Sequence, residues 1–91
     1  MNWQVVYSQK ALTELNDLPR PIAQRIVKKI KFFSQQNNPL LFAKRLTNYS
    51  FGSYRFRVGD YRIIFDIDKK GKITILLILS VKHRREVYRL Y

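Results

Sequence analysis

The sequence has no cysteine and a single histidine in 91 residues, which leaves no disulfide framework and no thiolate zinc site. Three glycines are too few and too scattered for a phosphate-cradling glycine-rich loop. No apolar run approaches the roughly 20 residues of a membrane span. The opening MNWQVVYSQ lacks the basic n-region and long apolar h-region of a signal peptide, so a cytoplasmic protein is expected. Acidic residues are scarce as well: six Asp and Glu stand against 18 Lys and Arg. Only Asp66 and Asp68 lie close together, and a metal there would sit beside arginines, so neither a metal site nor a cofactor is expected. No Ser–His–Asp arrangement has support in the sequence.

What is present is charge and apolar bulk. The balance is +12, a field that favours nucleic acid or an acidic protein segment. A membrane surface fits less well, because the basic residues are spread over helices and strands alike. A hydrophobic content of 46 % with 14 % aromatic residues supports a compact fold, and the length allows one domain over residues 1–91.

Along the chain, Trp3 to Tyr7 reads as a strand. Ser8 is placed to cap a helix over Gln9 to Leu18 with Ala11, Leu12, Leu15 and Leu18 as its apolar stripe. Pro21 opens a second helix that runs to about Gln35, with Ile22, Ile26, Ile30 and Phe33 inward and Arg25, Lys28, Lys29 and Lys31 outward. Asn37, Asn38 and Pro39 stop it. Leu40 to Ser53 reads as a loop that brings Lys44 and Arg45 towards a sheet. Ile73 to Val81 is an almost unbroken apolar run, the pattern of a central strand. The closing KHRREVYRLY has room for one or two helical turns.

Tyr54 to Val58 and Tyr61 to Ile67 are separated only by Gly59 and Asp60, which predicts a two-residue hairpin. In that register Arg57 faces Arg62, with Arg55 on the same side and Asp66 its nearest acid. The expected fold is α+β. An N-terminal strand, a two-helix antiparallel hairpin and a three-stranded antiparallel meander form one sheet, and a short C-terminal helix follows. The helices should cover one sheet face and leave the arginines on an open one. Like charges opposite one another destabilise a strand pair by up to roughly 1 kcal/mol. On this view replacing Arg62 costs the fold nothing.

YRFRVGDYRIIFDID followed by ITILLILSVKHRREVYR, after two helices and a basic LFAKRL, resembles the RelE/ParE toxin superfamily of type II toxin–antitoxin systems. The resemblance covers essentially the whole chain and lies closest to the RelE-like mRNA interferases. It implies a RelE-like fold and metal-independent cleavage of mRNA on the ribosome. There the ribose 2′-hydroxyl attacks the adjacent phosphate, leaving a 2′,3′-cyclic phosphate. It also implies a cognate acidic, RelB-like antitoxin, and with it a higher-order toxin–antitoxin complex. Carried over by position, the site residues are Arg55, Arg57, Arg62, Arg84 and Tyr88, with Arg85 an alternative to Arg84. Lys44, Arg45, Lys82 and Arg85 would contact RNA.

This chain departs from family members that carry lysines on the first hairpin strand. Arginine is not deprotonated in proteins, so Arg55 and Arg57 are poor bases. Proton transfer is left to His83, Tyr88 or Lys82, and an imidazole, with an unperturbed pKa near 6.5, suits the role. The rival expectations are a non-catalytic ParE-like toxin directed at DNA gyrase and a cationic binding module with neither activity.

Overall fold

The computed structural model describes the backbone of residues 2–47 and 52–89 and the side chains of 3–47 and 52–86. Five strands form one sheet: β1 (Asn2–Tyr7), β2 (Ala43–Arg45), β3 (Tyr54–Val58), β4 (Tyr61–Lys70) and β5 (Ile73–His83), in the order β1-β5-β4-β3-β2. β1 runs parallel to β5 and every other pair is antiparallel. Helices α1 (Gln9–Asn16) and α2 (Arg20–Ser34) follow β1, and α3 (Arg84–Arg89) follows β5 directly.

The hairpin has the register its turn dictates. Gly59 takes φ +58, a conformation that costs a residue without Cβ nothing, and Val58 pairs with Tyr61 and Arg57 with Arg62. β4 and β5 run three and two residues past the apolar segments that announced them and turn at Gly71 and Lys72, Gly71 with φ +62. Ser8 caps α1 by accepting from Ala11 N at 3.1 Å, and its hydroxyl donates to Leu79 O at 3.0 Å. One side chain thus starts the helix and fastens it to β5.

The helices bury one sheet face. Ala11, Leu15, Ile26, Ile30 and Phe33 meet Phe56, Val58, Ile63, Phe65, Leu76, Ile78 and Val81 in one apolar cluster. A column of rings runs through it: Phe33 on Phe56 at 4.5 Å, Phe56 on Phe65 at 4.3 Å and Tyr54 on Phe65 at 5.6 Å. Centroids this close are the offset-stacked spacing that aromatic quadrupoles favour.

Four expectations need correcting. The stretch Leu40 to Ser53 was expected to be all loop, but it contains a 3₁₀ turn (Pro39–Phe42) and the edge strand β2. Three residues are too few to show an alternation that would announce a strand. Leu12 was placed in the apolar stripe of α1, yet it is 43 % exposed. The helix also ends at Asn16, so Leu18 lies beyond it and only half-buried. The face opposite the helices is not fully open either: Ile64, on that face, is completely buried. Gly52 lies over it, so close that a Cβ there would stand 2.6 Å from Ile64 Cγ2.

Ser8→Ala removes a helix cap and a tie to β5 together. It should lower stability by roughly 1–2 kcal/mol, read as a lower urea midpoint with unchanged slope.

Candidate phosphate-binding face

β3, β4 and β5 carry a row of cations across the sheet face that the helices leave. Arg57 pairs with Arg62 and Arg62 with Lys82, so the three side chains stand abreast on adjacent strands. Directly opposite residues hold their Cβ atoms roughly 4.5–5.5 Å apart. One pleat along, Lys44 pairs with Arg55, which extends the basic surface to the sheet edge. Arg57 and Lys44 are exposed and Arg55 half-buried.

Lys82 joins this row because of a bulge. Ile64 pairs with Ser80 but Phe65 pairs with Ile78, so Leu79 is an extra residue in β5. An extra residue inverts the alternation beyond it. Leu76 and Ile78 face the core before the bulge and Val81 after it, and Lys82 therefore emerges on the arginine face. His83 emerges on the other. It pairs with Tyr61, and the two rings meet edge-on at 5.4 Å on the helix-bearing side. Its Nδ1 accepts from Arg85 N at 3.3 Å. The structure thus separates His83 from the arginines it was expected to serve.

Arg62 is the most constrained member. It was expected on an open surface, but it is only 2 % exposed. Its Nη1 donates to Gly59 O at 3.0 Å and Tyr61 O at 3.1 Å, both at the hairpin turn. Its Nε is buried with no acceptor among the described residues. Asp66, expected as the acid nearest Arg55, accepts instead from Ser53 N at 2.7 Å. No described acid forms an ion pair with Arg55, Arg57 or Arg62. A buried cation without a counter-charge is costly unless something anionic completes it.

The remaining residues divide. Arg84 stands at the hairpin turn, where its N donates to Asp60 O at 2.7 Å and its Nε lies 3.8 Å from Asp60 Oδ1. Arg45 pairs with Tyr54, which puts it on the helix-bearing side of β2, apart from Lys44. Arg85 is exposed in the first turn of α3. The backbone of Tyr88 belongs to α3, but its side chain lies outside the described residues. Among the described residues no three acids or histidines converge in a way that could hold a metal.

Glu14 had no signal in the sequence, being one acid on an amphipathic helix. Where β1 ends, β5 would expose an unpaired edge, and Glu14 reaches it from α1. It accepts from Ser80 Oγ at 2.8 Å, from Val81 N at 3.1 Å and from Lys82 Nζ at 3.1 Å. Burial by itself would raise the Glu14 pKa, but Ser80, Lys10, Lys82 and Val81 outweigh it and hold the carboxyl below its ordinary value. For Lys82 burial favours the neutral amine, and Glu14 outweighs that too, so its pKa is raised. Lys82 is therefore held as a cation beside Arg62, which suits phosphate binding and unsuits it for accepting a proton.

Comparison with known proteins agrees with the fold. Residues 5–88 match the family model of the ParE toxin of type II toxin–antitoxin systems. The chain is 32 % identical over 98 % of its length to toxin RelG of Mycobacterium tuberculosis, covering 99 % of that protein. Among solved structures it is similar to the toxin–antitoxin complex RelBE2 of M. tuberculosis, with TM-score 0.74 and 28 % identity over 92 % of this chain and 100 % of that one. It is also similar to the RelB–RelE antitoxin–toxin complex of Methanococcus jannaschii, with TM-score 0.60 and 27 % identity over 94 % and 98 %.

The Glu14 network has a pH signature. A carboxyl whose pKa is lowered on folding stabilises the fold above its unfolded value, near 4.5, and loses that contribution as pH falls through the folded value. Glu14→Gln should therefore cost stability at neutral pH and flatten the acid limb below about 4.5, measured as urea midpoint against pH. An acid limb as steep in the variant as in the wild type would place the titration elsewhere.

Proposed function

The chain belongs to the RelE/ParE superfamily of type II toxin–antitoxin toxins, and from that premise we propose that it is a metal-independent endoribonuclease of the RelE kind. It would cleave mRNA on the ribosome and be held inactive by a cognate acidic antitoxin. The observation that carries this reading is the row Arg57–Arg62–Lys82, three cations abreast without an acid beside the arginines.

In-line attack by the 2′-hydroxyl adds negative charge to the phosphate oxygens. A preorganised guanidinium acts most strongly there because it need not reorganise as charge develops. In this reading Arg62, fixed by two carbonyls, meets the scissile phosphate, and Arg57 supplies the exposed fork beside it. Lys82 adds a fixed charge, Arg55 and Lys44 bind the neighbouring backbone, and Arg84 closes the hairpin end. With His83 on the helix side and Lys82 held protonated, the proton acceptor is Tyr88 or a group supplied by the ribosome. The partner assignment is supported by the related structures of M. tuberculosis and M. jannaschii, which are complexes of a toxin with its antitoxin.

A second reading is a non-catalytic toxin directed at DNA gyrase. The ParE family match favours it, and so does Arg62 being 2 % exposed, since a covered arginine must be uncovered before it can touch a phosphate.

Arg57→Ala separates the two readings. Arg57 is exposed, so its loss should move stability by no more than about half a kcal/mol. Single-turnover cleavage of ribosome-bound mRNA should fall on the order of a hundredfold, as when one donor to a developing oxyanion is lost. Ribosome affinity should change far less, because many other cations carry non-specific binding. Arg62→Ala serves less well, because it also strands the turn carbonyls and should cost stability. Cleavage by Arg57→Ala at the wild-type rate would remove the row from the chemistry.

A further inference from the structure

Three consecutive residues of β5 converge on one carboxylate of α1. Ser80 Oγ donates to Glu14 Oε1 at 2.8 Å, Val81 N to the same oxygen at 3.1 Å, and Lys82 Nζ to Oε2 at 3.1 Å. They directly follow the extra residue Leu79, on the stretch of β5 that β1 no longer covers, since the last β1 pairing joins Tyr7 to Ile78. Glu14 thus grips β5 where the inverted alternation begins. Closing that edge occupies Oε1 alone.

Oε2 serves something else. It binds Lys82 Nζ and Lys10 Nζ, each at 3.1 Å. Two ammonium groups against one carboxylate leave one positive charge, so the cluster adds to the basic face. An ammonium has three donors, and Glu14 engages one, which leaves Lys82 with N–H groups for the oxygen of a ligand. Lys82 meets Glu14 and Lys10 from α1, Glu86 from α3 and Arg62 from β4. Glu86 is exposed and stands 3.9 Å away, beyond hydrogen-bond length, so Glu14 is the one described acid that holds the ammonium. A lysine loses the freedom of its four-carbon stem on being fixed, and one already held does not lose it as the transition state forms. Its charge follows the same bond: burial favours the neutral amine, and Glu14 outweighs burial.

We infer that Glu14 is a positioning residue of this face, fixing the Lys82 ammonium at the β5 end of the arginine row for contact with a phosphate oxygen. The inference rests on the reading of the chain as a ribonuclease and adds a residue that acts without touching RNA. Glu14 works through Lys82, so its loss matters only while Lys82 is present.

The test is a cycle of four toxins: wild type, Glu14→Gln, Lys82→Met and the pair. Each is assayed by single-turnover cleavage of ribosome-bound mRNA from about pH 7 to about pH 9.5. Glutamine keeps an acceptor for Ser80 and Val81 and removes the charge. Glu14→Gln should cleave about tenfold more slowly at neutral pH. The deficit should widen as pH rises, because Lys82 without its counter-charge gives up its proton sooner. With Lys82→Met in place, Glu14→Gln should cost less than about twofold at any pH. Ribosome affinity should not fall, since the variant carries one negative charge fewer. Ser8→Ala loosens α1 on the same strand without touching Lys82, and while folded it should cleave like wild type. Should Glu14→Gln melt below the assay temperature, Glu14→Asp, which keeps the charge and shortens the reach, replaces it in the cycle. Equal losses with and without Lys82, or an equal loss in Ser8→Ala, would make Glu14 merely structural and overturn the proposal. Faster cleavage by Glu14→Gln would make the carboxylate a competitor of the phosphate and overturn it too. No cleavage even by wild type overturns the ribonuclease reading, and the proposal with it.

Discussion

Register in β3, β4 and β5 is the constraint from which the rest of the molecule follows. Side chains alternate across a strand, so a slip of one residue would send every arginine into the core and every core aromatic into water. Two local devices set it. The Gly59–Asp60 turn leaves only one antiparallel pairing for β3 with β4, and the aromatic column of Phe33, Phe56 and Phe65 holds that pairing from the helix side. The extra residue Leu79 then shifts β5 by one, which sends Lys82 to the arginines and His83 to Tyr61.

The first device was legible and the second was not. A Gly-Asp pair between alternating segments carries a backbone reason, φ > 0, that can be read from residue type. The bulge lies within LLILSV, where every residue is apolar or small and none marks a break in alternation. His83 was therefore a reasonable candidate by chemistry and is placed apart by geometry. Arg62 misled for a related reason. Its position on the face opposite the helices was readable, but its burial depends on the turn carbonyls it reaches, and nothing in a period-two pattern reports those. The cap at Ser8 followed from residue type and the buried stripe of Ile26, Ile30 and Phe33 from spacing, because burial on one face leaves a period in the sequence, while the interior place of β5, between β1 and β4, followed from its almost unbroken apolar run.

Electrostatics divides the work between the two sides of the sheet. On one side the arginines of β3 and β4 form no ion pair with a described acid, and Glu14 pairs with Lys82 and not with them. Its other bonds close the edge of β5 where β1 runs out, so one carboxylate serves both the fold and the electrostatics of the face. On the other side the helical hairpin presents basic residues around exposed aliphatic carbon.

The central claim is that the arginine face acts on a phosphate attacked by its own ribose. The most direct measurement is cleavage of a ribosome-bound mRNA carrying a single 2′-deoxy nucleotide at the mapped cleavage position, beside the all-ribose message. The account predicts that the all-ribose message yields a 2′,3′-cyclic phosphate end and that the single missing hydroxyl abolishes the cut at that position. Equal cleavage of both messages, or an intact message alongside inhibited gyrase, would contradict it.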